Sequence, residues 1–166
     1  MFEVERKFLV KEIPNLKIRE FYNIEQGYIN FNPEIKVINA GNDYYLTQKG
    51  IGSIKRREVA TTISSMTYNI LSELIRGRII RKVRNAIKLP NYQIAYLDVY
   101  LDDLAGLITV KVDFETLEDA NKFVVPNWFG EEITDNLRYK NRNLSTISLS
   151  EIGEIVPQKG SVLSLK

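Results

Sequence analysis

The feature that most constrains this 166-residue chain is alternation. Between short turn signals, charged residues recur at every second position, with Ile, Val, Leu or Phe between them. Successive side chains of an extended strand point to opposite faces, so each such run has one charged and one apolar face. Glu3, Glu5 and Lys7 share a face opposite Val4, Phe8 and Val10, with Arg6 as the exception. Arg56, Glu58 and Ala60 share another. Arg78, Lys82 and Arg84 oppose Ile79, Val83 and Ile87, and Asp98 lies opposite Leu97, Val99 and Leu101. Thr109, Lys111 and Asp113 oppose Ile108, Val110, Val112 and Phe114. Asn32-Pro33, Gly41-Asn42-Asp43, Gly50-Ile51-Gly52, Pro90-Asn91 and Asp102-Asp103 mark turns. The pattern predicts eight strands, near 2–10, 24–31, 34–39, 43–49, 53–63, 78–88, 92–101 and 107–115. Ser65 is expected to cap a helix running to about Leu74. Thr116 with Asp119 opens a second, and residues 134–155 are expected to be helical in pieces. Trp128-Phe129-Gly130 is read as a packing and turn feature.

One charged strand face looks out at water. A meander of this many strands tends to curl and close instead, which removes its edges. With helices over the apolar outside, the charges would face inward, where they must be paired or hold a ligand. The expected fold is α+β: an eight-stranded antiparallel β-barrel with helices packed outside, in a single domain over residues 1–166. The chain has no His and no Cys, which excludes imidazole bases, thiol nucleophiles and the usual structural zinc sites. Lys plus Arg number 23 against 21 acids, too balanced for a generic duplex nucleic-acid binder or a membrane-surface binder. The acids near the N-terminus do not suit a signal peptide, and no apolar run reaches membrane-spanning length. The lack of Cys fits a reducing compartment, so a cytoplasmic location is expected.

Glu3-Val4-Glu5-Arg6-Lys7 resembles the ExExK signature of the CYTH, or triphosphate tunnel metalloenzyme, superfamily. That group includes class IV adenylyl cyclases, thiamine triphosphatases and inorganic triphosphatases. Further matches follow in order: Tyr44-Tyr45-Leu46-Thr47-Gln48-Lys49-Gly50, Arg56-x-Glu58, Lys82-x-Arg84, Tyr96-Leu97-Asp98-Val99-Tyr100 and Val110-Lys111-Val112-Asp113-Phe114. Trp128-Phe129-Gly130-Glu131-Glu132-Ile133-Thr134 and Arg138-Tyr139-Lys140-Asn141 resemble its tail. The resemblance implies a charged tunnel that binds a triphosphate. Lys7, Lys36, Lys49, Arg56, Lys82, Arg84, Lys111 and Lys140 would hold phosphates. Glu3, Glu5 and Asp113 would hold Mg²⁺ or Mn²⁺, and Glu5, Glu58 and Asp113 would serve catalysis. The expected partner is a small-molecule triphosphate or nucleotide; a homodimer is left open.

The chain departs from the family pattern at named positions. Its R-x-R strand reads Lys36 and Ile38, the last acid of R-x-E-x-E is Ala60, and its final E-x-E reads Lys111 and Asp113. The inward set becomes eight bases (Arg78 among them) against five acids, Glu3, Glu5, Glu58, Asp98 and Asp113. Fewer metal ions than in typical relatives are expected, with the Lys111 ammonium near a metal position. The function implied is metal-dependent triphosphate hydrolysis. The alternatives are a catalytically weakened polyphosphate- or nucleotide-binding module, and a class IV adenylyl cyclase.

Overall fold

The computed structural model describes residues 2–50, 55–91 and 93–156, with backbone alone for 2, 3 and 55–57. The expected turn at Gly50-Ile51-Gly52, the start of the fifth strand, Tyr92 and the segment 157–166 fall partly or wholly outside the described residues.

Among the described residues nine strands form one antiparallel sheet, one more than the alternation predicts. They are β1 (Phe2–Val10), β2 (Ile18–Phe31), β3 (Glu34–Ala40), β4 (Asp43–Lys49), β5 (Lys55–Thr62), β6 (Arg76–Lys88), β7 (Ile94–Tyr100), β8 (Ile108–Phe114) and β9 (Phe129–Glu132). Their order is β5-β4-β3-β2-β6-β7-β8-β1-β9, and β5 also pairs with β1, Glu3 opposite Arg56. The ninth strand lies where a turn was expected. Phe129 pairs with Val10 and Glu132 with Phe8, a contact more than a hundred residues apart in sequence. Arg6, the exception on the apolar face of β1, is explained by this strand. Its guanidinium holds Glu132 through Nε (2.9 Å) and Nη2 (2.6 Å), and its Nη1 donates to the Ala120 carbonyl.

The helices are short. They are α1 (Ser65–Ser72), α2 (Leu117–Lys122), α3 (Asn141–Leu144) and α4 (Leu149–Ile155). Thr116 caps α2 as expected, accepting from the Asp119 amide. On α1 the cap is Ser64, one residue earlier than the sequence suggested, accepting from the Thr67 amide.

The apolar faces of β1, β7 and β8 form one core. Val4, Phe8, Leu97, Val110 and Val112 pack with Ala120, Phe123, Trp128 and Phe129 around α2. A second cluster joins Ile80, Tyr100 and Leu107 to Leu144, Ile152 and Ile155 of α3 and α4. Tyr100 pairs with Lys82, and Ile80 with Gln26, so this cluster continues the charged faces of the sheet past their charged stretch. The C-terminal helices thus cover one end of the concave side.

Arg78 is corrected accordingly. Its Nη1 donates to the carbonyls of Leu144 (2.7 Å) and Ile147 (3.0 Å), and its Nε to Asp103. It clasps the C-terminal segment and does not line the cavity. Between Arg76 and Ile80 the β2–β6 register shifts, which breaks the period-two extrapolation from Lys82.

Candidate functional site

The charged strand faces converge on a cavity of about 380 Å³. Register explains the convergence, because residues directly opposite in an antiparallel pair project to the same side. Lys36 lies opposite Tyr28 and Thr47, Glu34 opposite Lys49, and Lys49 opposite Glu58. On the other wall Arg84 faces Asp98, Lys7 faces Lys111, and Glu5 faces Asp113.

The structure brings together Glu5, Lys7, Lys36, Lys49, Glu58, Lys82, Arg84, Lys111, Asp113 and Lys140, all named from the sequence. The side chains of Glu3 and Arg56 lie outside the described residues, although their backbones pair at the β1–β5 junction. Among the described residues, seven cations and five carboxylates line the cavity, so cations remain in excess without Arg78. Ile38 and Ala60, the neutral departures from the family pattern, line it too.

Asp98 anchors the buried wall. Lys82 Nζ lies 2.8 Å from its Oδ2, and Arg84 grips it in a fork, Nε at 2.8 Å and Nη2 at 2.9 Å. The side chains of Asp98 and Lys82 are each 3% exposed. Burial alone would raise the Asp98 carboxyl; the two adjacent cations outweigh it and hold the group well below the usual carboxylate range. The same carboxylate keeps Arg84 charged against its own burial. Lys82 is lowered by burial, with Asp98 opposing the shift.

Two other lysines have less compensation. Burial brings Lys7 down to about 8, and Lys111 and Arg84 add repulsion against the pull of Asp98 and Glu5. Its ammonium donates to the Tyr139 carbonyl at 3.4 Å. Lys36 lies well below the usual lysine value, through burial first and then repulsion from Lys49 and Lys82. A polyanion in the cavity would restore the charge of both.

A third cluster links β1 and β8. The Lys111 ammonium sits 3.3 Å from Glu5 Oε2 and 3.3 Å from Asp113 Oδ1. The ammonium thus sits between two of the acids that the family resemblance implies would hold a metal. No group of three or more Asp or Glu able to hold a metal occurs among the described residues.

The sequence pattern assigns no site role to several wall residues: Glu34, Gln26, Tyr28, Thr47 and Asn141. Glu34 was within reach, since it stands two residues before Lys36 on the same strand. Gln26 Nε2 and Thr47 Oγ1 are buried without a hydrogen-bond partner, and both belong to residues of this cavity. Such orphaned groups cost stability unless a ligand or water satisfies them. Lys140 donates to the Thr134 carbonyl at 2.6 Å, and the Tyr100 hydroxyl donates to Asn141 at 2.8 Å, so the C-terminal segment supplies the floor.

A larger recess of about 690 Å³ is lined by Leu89, Phe123, Val124 and Trp128, with Glu12 as its one ionisable residue among those described. It has no convergent charge and is set apart from the chemistry above.

No protein-family model matches the chain. An inorganic triphosphatase of Nitrosomonas europaea is 35% identical over 148 residues, covering 87% of this chain and 97% of that protein. An inorganic triphosphatase of Acetivibrio thermocellus is 32% identical over 147 residues, covering 86% and 92%. The crystal structure of an inorganic triphosphatase superposes with a TM-score of 0.67 at 33% identity, over 88% of this chain and 95% of that one. A putative adenylate cyclase from Bacillus halodurans, at 15% identity and a TM-score of 0.53, shares the fold alone. The chain belongs to the CYTH, or triphosphate tunnel metalloenzyme, superfamily.

Proposed function

We propose that this protein binds inorganic triphosphate inside the charged cavity and hydrolyses it. The observation that carries the proposal is the convergence of seven cations from the strand walls and the C-terminal segment on one 380 Å³ space. A linear polyanion needs positive groups from several directions, and Arg adds a planar fork suited to phosphate oxygens. We take the β5–β1 pairing as what closes the sheet into a tunnel around the anion.

Hydrolysis adds water to a terminal phosphorus while the bond to the bridging oxygen breaks. The electron pair leaves on pyrophosphate, and the cations around it neutralise the developing charge. Buried Lys36 and Lys82, with half-buried Arg84 beside them, are suited to that task. Glu58, on the cavity wall opposite Lys49, is the candidate for orienting the water.

A divalent ion, implied by the family, would supply Lewis-acid chemistry. Of its expected ligands, Glu5 and Asp113 already hold the Lys111 ammonium, and the side chain of Glu3 lies outside the described residues. With both carboxylates engaged by Lys111, the pair does not chelate an ion in this arrangement. The same contact favours a second reading, a binding protein with little turnover.

The test is incubation with tripolyphosphate, ATP and thiamine triphosphate, with and without Mg²⁺ or Mn²⁺, measuring phosphate release. Release from tripolyphosphate above the organic triphosphates supports the proposal. Tight binding with no release selects the binding module, and neither binding nor release rejects both.

A further inference from the structure

We propose that Lys111 is the resident cation of the cavity, its ammonium holding the Glu5–Asp113 carboxylate pair where a divalent ion would otherwise bridge it. The protein then takes up its anion with no metal at that position. The inference rests on the triphosphate reading above and deepens it.

Three observations carry it. Glu5 and Asp113 are directly opposite on paired strands, so their carboxylates reach the same point from two sides. The Lys111 nitrogen lies 3.3 Å from an oxygen of each, which is ion-pair distance to both at once. The Lys111 and Glu5 side chains are only 18% and 11% exposed, so the contact is largely shielded from water and an ion would have to displace it to reach that carboxylate.

The placement is also held by the fold. Lys111 stands mid-strand on β8, locked on one side by Tyr96 of β7 and on the other by Lys7 of β1. Its ammonium lies 5.8 Å from the Tyr96 ring centre, a cation–π contact that adds to the ion pairs. A dication at the same point would meet Lys111 and Lys7 as like charges.

An ammonium carries one charge and three donors. It can neutralise two carboxylates or one phosphate oxygen, but it neither polarises as a Lewis acid nor acidifies water as a metal ion does. Anion affinity should therefore be independent of divalent ions.

The test uses the full chain. Mn²⁺ is titrated without phosphate and followed by the EPR signal of the free ion. Tripolyphosphate binding is measured by calorimetry in excess EDTA and in Mg²⁺. For the unaltered protein we expect no stoichiometric Mn²⁺ site and a tripolyphosphate affinity that changes by less than about threefold between the two conditions. Lys111→Glu supplies a third carboxylate; it should gain one Mn²⁺ and lose at least about tenfold in tripolyphosphate affinity in EDTA. Lys111→Met should lose affinity in EDTA without gaining Mn²⁺. A stoichiometric Mn²⁺ site in the unaltered protein that Asp113→Asn removes would overturn the inference, as would tripolyphosphate binding that disappears in EDTA. Absence of tripolyphosphate binding under every condition rejects the triphosphate reading instead, and the Mn²⁺ titration still judges Lys111 by itself.

Discussion

Asp98 is the residue on which the buried wall depends. It neutralises Lys82 and Arg84 together, and the Asp98 and Lys82 side chains are each only 3% exposed. Asp98→Asn would leave buried Lys82 and half-buried Arg84 sharing a neutral amide. Breaking a buried pair from one side costs about 3–5 kcal/mol, so the variant should show a markedly lower urea midpoint at neutral pH. The carboxyl is held low in the folded state, so its stabilisation is present at neutral pH and is lost only as pH falls through the carboxylate range into strong acid. A variant as stable as the parent would mean that the Asp98 cluster contributes nothing to the fold.

Lys7 works in the opposite sense. Its folded value of about 8 lies below the ordinary 10.5, so between those limits the unfolded chain binds more protons than the folded one. Stability of the ligand-free protein should rise with pH across that window from this group. Anion binding reverses the shift, because a phosphate beside Lys7 and Lys36 favours their charged forms. Tripolyphosphate binding should therefore take up protons above pH 8, and its affinity should fall as pH rises further. Calorimetry in two buffers of different ionisation heat reads the uptake; affinity that climbs with pH would contradict it.

At the scale of elements, the alternation located eight strands to within a few residues, except that β2 begins at Ile18 rather than near 24. It worked because one face of each strand is apolar core and the other cavity, which ties side-chain type to position. It failed where that link is absent. β9 has only four residues, and its aromatic start joins the core beside β1. The β6 bulge turned Arg78 away from the cavity, which no local pattern reveals. Arg78 and Gly77 together fasten the C-terminal segment. Gly77 has φ +79°, and a Cβ there would run into the Ser145 carbonyl, which accepts from the Arg78 amide. Arg78→Met should therefore speed hydrogen exchange over residues 141–155 more than elsewhere, at a cost of about 1–3 kcal/mol. The α1 cap gives a sharper contrast. Ser64→Ala should cost about 1 kcal/mol and Ser65→Ala almost nothing, by thermal or urea unfolding.

Across the whole molecule, site and fold share one cause. The strands put apolar residues against α2 and Trp128 on one face and charge on the concave face, one end of which the C-terminal helices cover. The cation excess of the cavity was legible because Lys and Arg recur at period two. The pairing among them was not. That Asp98 belongs to Lys82 and Arg84 depends on the β6–β7 register, and that Glu5 belongs with Lys111 and Asp113 depends on pairing between β1 and β8, far apart in sequence. The orphaned polar atoms of Gln26 and Thr47 were equally invisible, since orphaning depends on the surroundings. Among the described residues no helix is long and apolar enough to cross a membrane.

The central claim is that triphosphate is bound and cleaved in this cavity. Its most direct test is phosphate release from tripolyphosphate by the purified chain beside Lys36→Met, whose side chain lies buried in the cavity wall. The expected result is steady release by the parent chain and a loss of at least about tenfold in the variant, the scale of one charge-assisted contact to a phosphate. Release that the folded variant sustains at the parent rate would place the chemistry elsewhere and contradict the account.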